Sequence, residues 1–215
     1  MKFYNLHTHQ FSDLPNVLEL VNQYPNEFDD MIPNYSIGIH PWHIKGDTIL
    51  SNLEILKSKL LDKKCLAVGE CGLDKRIEIP MDSQQIVFEN QLLLAEYYKK
   101  PVIIHCVAAF HELISIKKNK KITVPMIVHG FSKNSIIASQ LIENGFYLSF
   151  GKALIQNPDL ETVFQSIPNE RIFLETDTTS NEIQEVYALA AKYKKLEINT
   201  LKEIIEENFN RVFKK

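Results

Sequence analysis

The chain has 215 residues, of which 45% are hydrophobic and 24% charged, and its net charge is -3. This length and composition suit one globular domain over residues 1–215 and are too short for two comfortable domains. The small negative charge excludes a generally basic surface for nucleic acid, so only a local basic patch would serve that purpose.

The first residues read directly as a strand, which leaves no room for a signal peptide, and no apolar run approaches the ~18–20 residues of a membrane span. The cysteines Cys65, Cys71 and Cys106 form neither a disulfide framework nor a zinc-ribbon spacing. This usage favours a reducing compartment. We therefore expect a cytoplasmic protein without a membrane partner, and we infer no protein partner.

Short apolar runs alternate with longer amphipathic stretches along the chain, a pattern typical of βα units in a parallel sheet. Seven strands are predicted near residues 2–6, 35–39, 65–70, 101–105, 124–129, 146–151 and 171–176. Helical spacing follows at 50–61, 83–99 and 135–144, and the tail at 183–212 reads as two helices. In the helix at 83–99, one apolar face is predicted to carry Ile86, Val87, Asn90, Leu93, Leu94 and Tyr97.

A closed barrel needs an eighth strand, and residues 17–21 are the only candidate. They follow the first strand after a short loop, so the first helix is expected to be missing or vestigial. Ordinary (β/α)8 domains run to ~250 residues. The fold class predicted is therefore a trimmed (β/α)8 TIM-type barrel, distorted or partly open where its first helix is reduced.

Six residues whose side chains commonly bind metals stand at the ends of five of these strands. They are His7, His9, Glu70, His105, His129 and Asp177. The carboxyl ends of parallel barrel strands meet on one face, where such enzymes carry their active sites. Each residue alone has an even chance of a structural role, but the ordered series predicts a centre for two divalent ions.

The spacing suggests a role for each ligand. His7 and His9 share one face of their strand, because alternate side chains do, and can chelate one ion. Glu70, a candidate catalytic residue together with Asp177, can bridge two ions, and His105 and His129 can complete the ligand shell of the second ion. Asp177, on the last strand, can bind the first ion and accept the proton of the attacking water. Four histidines favour Zn, Mn, Fe or Ni over Mg on ligand preference.

Several motifs together resemble the TatD family of metal-dependent hydrolases, which are amidohydrolase-like barrels. They are His-Thr-His at 7–9, Gly-Ile-His-Pro-Trp-His at 38–43, Val-Gly-Glu-Cys-Gly-Leu-Asp at 68–74, Pro-Val-Ile-Ile-His at 101–105, His-Gly-Phe-Ser at 129–132, Leu-Glu-Thr-Asp at 174–177 and Asn-Phe-Asn-Arg-Val-Phe at 208–213. The resemblance covers essentially the whole chain. It implies phosphodiester hydrolysis with divalent metal, in the DNase members by trimming DNA ends with Mg or Mn.

Two segments depart from that family pattern. After His105 the chain reads Cys-Val-Ala-Ala at 106–109, where relatives often carry a Ser-Arg-Asp type segment, so a phosphate-gripping Arg is absent. After Asp177 the usual Ala-Pro or Ser-Pro segment is replaced by Thr-Thr-Ser. These losses leave a hydrolase of a small amide, ester or phosphoester as the alternative to a DNase. A barrel that binds metal without catalysis is a third reading.

Other residues near the predicted mouth carry open alternatives. His43 is a candidate catalytic residue that would contact a phosphate or the leaving group, and His40 would hydrogen-bond its own loop. Trp42 would either stack on a base or act as an aromatic lid or packing residue. Glu175 shares the inward phase of Asp177 and would form an internal salt bridge or tune a ligand histidine. Asp74 would be a helix cap or a residue at the barrel mouth, and we interpret it as structural. The cofactor predicted is two divalent ions, Mg, Mn or Zn, and the substrate is DNA or a small phosphorylated or ester compound.

Overall fold

The computed structural model describes residues 1–213 and contains eight strands. They are β1 (Phe3–Thr8), β2 (Val17–Gln23), β3 (Tyr35–Ile37), β4 (Cys65–Asp74), β5 (Val102–Val107), β6 (Met126–Val128), β7 (Tyr147–Phe150) and β8 (Ile172–Leu174). The helices are α1 (Ile49–Lys59), α2 (Met81–Tyr98), α3 (Phe110–Asn119), α4 (Ser135–Glu143), α5 (Lys152–Gln156), α6 (Leu160–Ser166), α7 (Ile183–Lys194) and α8 (Ile198–Phe213). Three 3-10 turns are Pro25–Glu27, Pro41–His43 and Asn169–Arg171.

The eight strands form one sheet in the order β1 to β8, and a parallel bridge joins Thr8 at the end of β1 to Asp177 after β8. The predicted (β/α)8 fold is thereby confirmed. β2 supplies the eighth strand, and within the described residues β1 passes to β2 without a helix, as expected. Among residues 1–213, no helix is long and apolar enough to cross a membrane.

By its internal contacts the chain separates into two compact units, and the first consists of Met1–Val21 and the described part of Val128–Lys215. Helices α7 and α8 cover β1 in this unit. The hydroxyl of Tyr187 accepts a hydrogen bond from the Tyr4 backbone N–H and donates one to the Tyr4 carbonyl, each at 3.1 Å. The Tyr4 ring packs on Phe209, and its hydroxyl donates to Glu206 at 2.8 Å. These contacts fix the strand that carries His7.

The second unit, Asn22–Ile127, is built on β3, β4 and β5, with α2 packed against β4. The predicted apolar face of α2 is wrong in part, because Ile86, Leu93 and Tyr97 are 56–79% exposed. The buried face instead contains Gln84 and Gln91. Each of these amides lies against the backbone N–H and C=O of one residue, which satisfies both side-chain groups and makes their burial inexpensive.

Two glycines in β4 let β5 approach closely. Gly69 and Gly72 have φ of +135° and +148°, a region that other residues rarely adopt. A Cβ at Gly69 would lie 2.4 Å from the carbonyl oxygen of Ile103, and one at Gly72 would lie 2.0 Å from that of His105. The glycines on either side of Glu70 therefore set the separation between the strand of Glu70 and the strand of His105.

Candidate metal centre

The first cluster of metal-binding side chains lies in the first unit. It combines His7 and His9 from the end of β1 with His129 after β6 and Asp177 after β8. The Nε2 atoms of His7 and His9 lie 3.6 and 3.4 Å from the same carboxylate oxygen, Oδ1 of Asp177. Ligand atoms of His7, His129 and Asp177 all lie within 4.8 Å of one another. Three imidazole nitrogens and a carboxylate are a donor set that suits zinc, manganese or iron.

The backbone fixes Asp177 beside His7. The Asp177 N–H donates to the carbonyl of His7 at 2.9 Å, and the His9 N–H donates to the carbonyl of Asp177 at 3.3 Å. Asp177 has φ of +55°, which aspartate tolerates better than most residues. His7 is fully buried, whereas His9 and Asp177 are about one quarter exposed. The cluster is therefore open to solvent on the side of His9 and Asp177.

A buried carboxylate stands behind His129. Glu175 is completely buried, and its Oε1 lies 3.4 Å from Nδ1 of His129 while accepting the Gly130 N–H at 2.7 Å. A carboxylate against one imidazole nitrogen orients the ring and leaves the other nitrogen for a metal. The contact with His129 is of the kind expected if Glu175 tunes a ligand histidine, which is one of its two sequence interpretations.

The second cluster lies in the second unit and centres on Glu70. Its Oε1 lies 3.0 Å from Nδ1 of His105 and 3.1 Å from Nε2 of His40. The Glu70 N–H donates to Oδ1 of Asn22 at 2.6 Å. Glu70 and His40 are both buried. A carboxylate and two imidazoles are brought together here, and only His40 was absent from the predicted ligand set.

Asp74 determines which nitrogen of His105 faces Glu70. Oδ2 of Asp74 lies 3.2 Å from Nε2 of His105 and accepts the indole N–H of Trp42 at 2.8 Å. Burial alone would raise the pKa of Asp74, but the hydrogen bonds from Trp42, the Arg76 N–H and His105 outweigh burial, and its pKa is lowered. An ionised Asp74 can accept a hydrogen bond from Nε2 of His105. In the tautomer that makes this bond, the lone pair of the ring is on Nδ1, next to Glu70.

This arrangement fits a divalent ion. A lone pair on Nδ1 of His105 and a carboxylate oxygen only 3.0 Å away repel each other unless a cation or proton lies with them. Two ligand atoms at right angles about an ion with bonds of ~2.1 Å are also ~3 Å apart. His105 and Glu70 are therefore spaced as neighbouring ligands of one ion.

His40 has a different role from His105. Its Nδ1 accepts the Trp42 backbone N–H at 3.1 Å, and burial lowers its pKa despite the opposing effect of Glu70. The neutral ring therefore carries its proton on Nε2, and this N–H donates a hydrogen bond to Glu70. Through this bond His40 orients the carboxylate of Glu70. The expected contact with its own loop is present, but the contact with Glu70 was not foreseen.

The remaining predicted residues lie around these clusters. His43 is exposed in the turn Pro41–His43, with its ring centroid 5.6 Å from that of His40 and its edge against Tyr24. Burial raises the pKa of the Cys71 thiol, as for an inert core cysteine. Asp74 was missed as a partner of His105 because β4 continues to residue 74, four residues beyond the predicted strand end. The alternation from Glu70 to Asp74 would have indicated it.

The chain is similar to known proteins in both sequence and fold. The model of the family described as TatD related DNase matches residues 2–214. The uncharacterized metal-dependent hydrolase YabD of Bacillus subtilis (strain 168) is 31% identical over 209 residues, covering 86% of this chain and 81% of that protein. The solved structure of YJJV, a TATD homolog from Escherichia coli K12, superposes with a TM-score of 0.84 at 22% identity and covers 98% of this chain and 97% of its own.

A hydrolase TatD family protein from Entamoeba histolytica superposes with a TM-score of 0.83 at 16% identity, covering 99% of this chain and 98% of that one. At such identities these two superpositions establish the fold alone.

Proposed function

The chain belongs to the family of TatD related DNases, and from this premise we propose that it is a divalent-metal-dependent hydrolase that cleaves phosphodiester bonds at DNA ends. One observation carries the proposal: every one of the six predicted ligands lies in a cluster of metal-binding groups. Behind the two clusters stand Asp74 and Glu175, each set against a ligand histidine. Such second carboxylates are typical of sites that hold a metal under defined geometry.

Each cluster supplies ligands for one ion in this proposal. The first ion would be held by His7, His9, His129 and Asp177. His129 is therefore assigned to the first ion here, whereas the sequence alone assigned it to the second ion. Glu70 and His105 hold the second, and a bridging role for Glu70 stays a prediction. Divalent ions bound here, which we propose to be Mg, Mn or Zn, would supply positive charge that polarises the phosphate and lowers the pKa of the attacking water.

Asp177 is the proposed proton acceptor. Its carboxylate is partly open to solvent, and its backbone is held to β1 by the hydrogen bonds with His7 and His9. A carboxylate fixed in this way can take the proton of water as it attacks phosphorus and return it to the leaving oxygen. His43, exposed beside His40, is proposed to contact the phosphate or the leaving group.

A second candidate function is hydrolysis of a small amide, ester or phosphoester. The observation in its favour is the segment after β5, where Ala108 and Ala109 follow Val107 and provide no cation for a phosphate. Phosphate without a bidentate Arg is held less tightly and less precisely. The same clusters would then act on a substrate that makes fewer contacts.

End-labelled single- and double-stranded DNA tests these alternatives. Protein stripped of metal is reloaded separately with Mg, Mn or Zn, and its metal content is measured. We expect labelled nucleotide to be released only with metal and to be lost in Asp177→Asn. Asp159→Asn, an exposed aspartate of the same unit, is the matched control and should remain active. Absence of release by metal-loaded protein, with turnover of small esters, would establish the second candidate instead.

A further inference from the structure

Trp42 combines a largely exposed side chain with a fixed position. Its side chain is 58% exposed, an unusual state for the largest aromatic residue. The indole N–H nevertheless donates to Asp74 at 2.8 Å, and the ring meets His40 edge-on at 5.1 Å and His105 at 5.8 Å between centroids. These contacts hold the indole beside the cluster of Glu70, and more than half of the side chain remains exposed.

A concavity of about 320 Å³ adjoins this ring. Besides Trp42, the residues that line it include Asn26, Asn52, His43 and Lys45, together with one acidic residue, Glu27. The volume is at the lower end of the range for small-ligand pockets. The amides offer both donors and acceptors, as the edge of a base requires, and Lys45 offers a positive charge for a phosphate.

We infer that this concavity is a nucleobase subsite, in which a terminal base stacks on Trp42 while Lys45 contacts its backbone phosphate. The inference rests on the proposed function and specifies its substrate as a DNA end with an unstacked base, either single-stranded or frayed. A base paired within a duplex has its faces covered by its neighbours and cannot lie on the indole. Stacking accepts every base, so little sequence preference is expected.

The first experiment exploits the fact that the chain has a single tryptophan. All indole fluorescence therefore comes from Trp42. Protein kept in EDTA is titrated with deoxyadenosine, dAMP or 2-deoxyribose 5-phosphate. We expect quenching by the two compounds that carry a base and none by the sugar phosphate. In Lys45→Gln the affinity for dAMP should fall while that for deoxyadenosine is retained. Equal spectra with and without deoxyadenosine and dAMP would overturn the subsite.

The second experiment compares cleavage of two end-labelled single strands that differ only in a terminal base or an abasic residue. Stacking is worth roughly 1–3 kcal/mol per base, which predicts a preference for the intact end of about 5- to 150-fold. Trp42→Ala should abolish this preference, and Trp42→Phe should retain most of it. Tyr97→Ala, which removes a 79% exposed aromatic from α2, is the matched control.

The outcomes separate this inference from the proposed function. Trp42 also contacts Asp74, so a purely positional role would slow cleavage of both strands equally in Trp42→Ala and leave their ratio unchanged; that result overturns the subsite. Cleavage without a base preference and without quenching overturns the subsite while the nuclease stands. Quenching by dAMP without any cleavage of DNA would support the subsite and contradict the proposed nuclease function.

Discussion

Nε2 of His105 lies 3.2 Å from Oδ2 of Asp74, on the side of the ring opposite Glu70. The imidazole is therefore held between two carboxylates that have different tasks. Asp74 can accept a hydrogen bond from one nitrogen, and in the proposed function Glu70 would share a cation with the other. The orientation of His105 is set before any ion or substrate arrives, and this makes Asp74 accessible to a direct test.

Replacing Asp74 with Asn should weaken metal binding without unfolding the protein. The amide has the same shape but no charge to hold the proton on Nε2, so we expect affinity at Glu70 and His105 to fall about 10- to 100-fold. Titration of the stripped protein with Mn or Zn in competition with a chromophoric chelator measures this effect. Asp47→Asn, at an exposed position of the same unit, is the control. Unchanged affinity in Asp74→Asn would contradict the assigned tautomer.

Glu175→Gln tests the corresponding contact in the other unit. Glutamine can still accept the Gly130 N–H, and it removes a fully buried charge, so the fold should be retained. Without the carboxylate behind His129, one of the two ions should bind about 10- to 100-fold more weakly. Metal content after dialysis against a limiting chelator provides the measurement, with Glu203→Gln on the exposed face of α8 as control. Two ions retained in both variants would refute this role.

Gly72→Ala should destabilise the protein because the new methyl group has no space. Its Cβ would lie 2.0 Å from the carbonyl oxygen of His105 at a φ of +148°. Crowding of this kind costs about 1–3 kcal/mol, and backbone strain adds to it. A lowered urea midpoint is expected, while Gly46→Ala, where the added carbon meets nothing within 4 Å, should unfold like the parent. Equal midpoints would mean that β4 and β5 tolerate a wider separation.

Lys194 should make stability depend on pH in the alkaline range. Its ammonium donates to the carbonyls of Gln165 and Ile167, and burial lowers its pKa to about 8, against the smaller opposing effect of Glu170. Between pH 8 and 10.5 the unfolded chain keeps a proton that the folded chain has released, so stability gains with rising pH in this window. Below pH 8 the amine is charged in both states and the gain is absent.

The matched variant is Lys194→Met, which has a similar shape and does not titrate. The free energy of unfolding of the parent, relative to this variant, should therefore increase between pH 7.5 and 9.5. Urea unfolding at the two pH values isolates the contribution of Lys194 to stability, because the other titrating groups change the free energy of unfolding of both proteins by the same amount. A constant difference would show that the pKa of Lys194 is ordinary.

The clustering of the predicted ligands could be foreseen because it depends on two simple regularities. Apolar runs locate the strands, and parallel strands present their last residues on one face, so His7, His105 and His129 could be identified without coordinates. The position of Glu70 followed from the same reasoning, although β4 extends four residues past it. Its roles in catalysis and bridging stay predictions.

The supporting contacts were less accessible from the sequence. Asp74, His40 and Trp42 form a hydrogen-bonded set whose members come from β4 and from the turn before α1. Their meeting depends on loop conformation, which periodicity does not encode. The buried face of α2 was misjudged for a related reason, since Gln84 and Gln91 are buried through bonds to backbone, whereas hydrophobic spacing favoured Leu93 and Tyr97.

The discontinuous first unit has a consequence for the order of events during synthesis. Asn5 and Thr176, which pair their side chains next to the first cluster, are 171 residues apart, whereas Glu70 and His105 are 35 apart. At roughly 5–20 residues per second, the ribosome adds Asp177 roughly 9 to 34 s after His7. The residues of the Glu70 cluster are all made before Asp177, so that cluster can form earlier on the nascent chain than the one that contains Asp177.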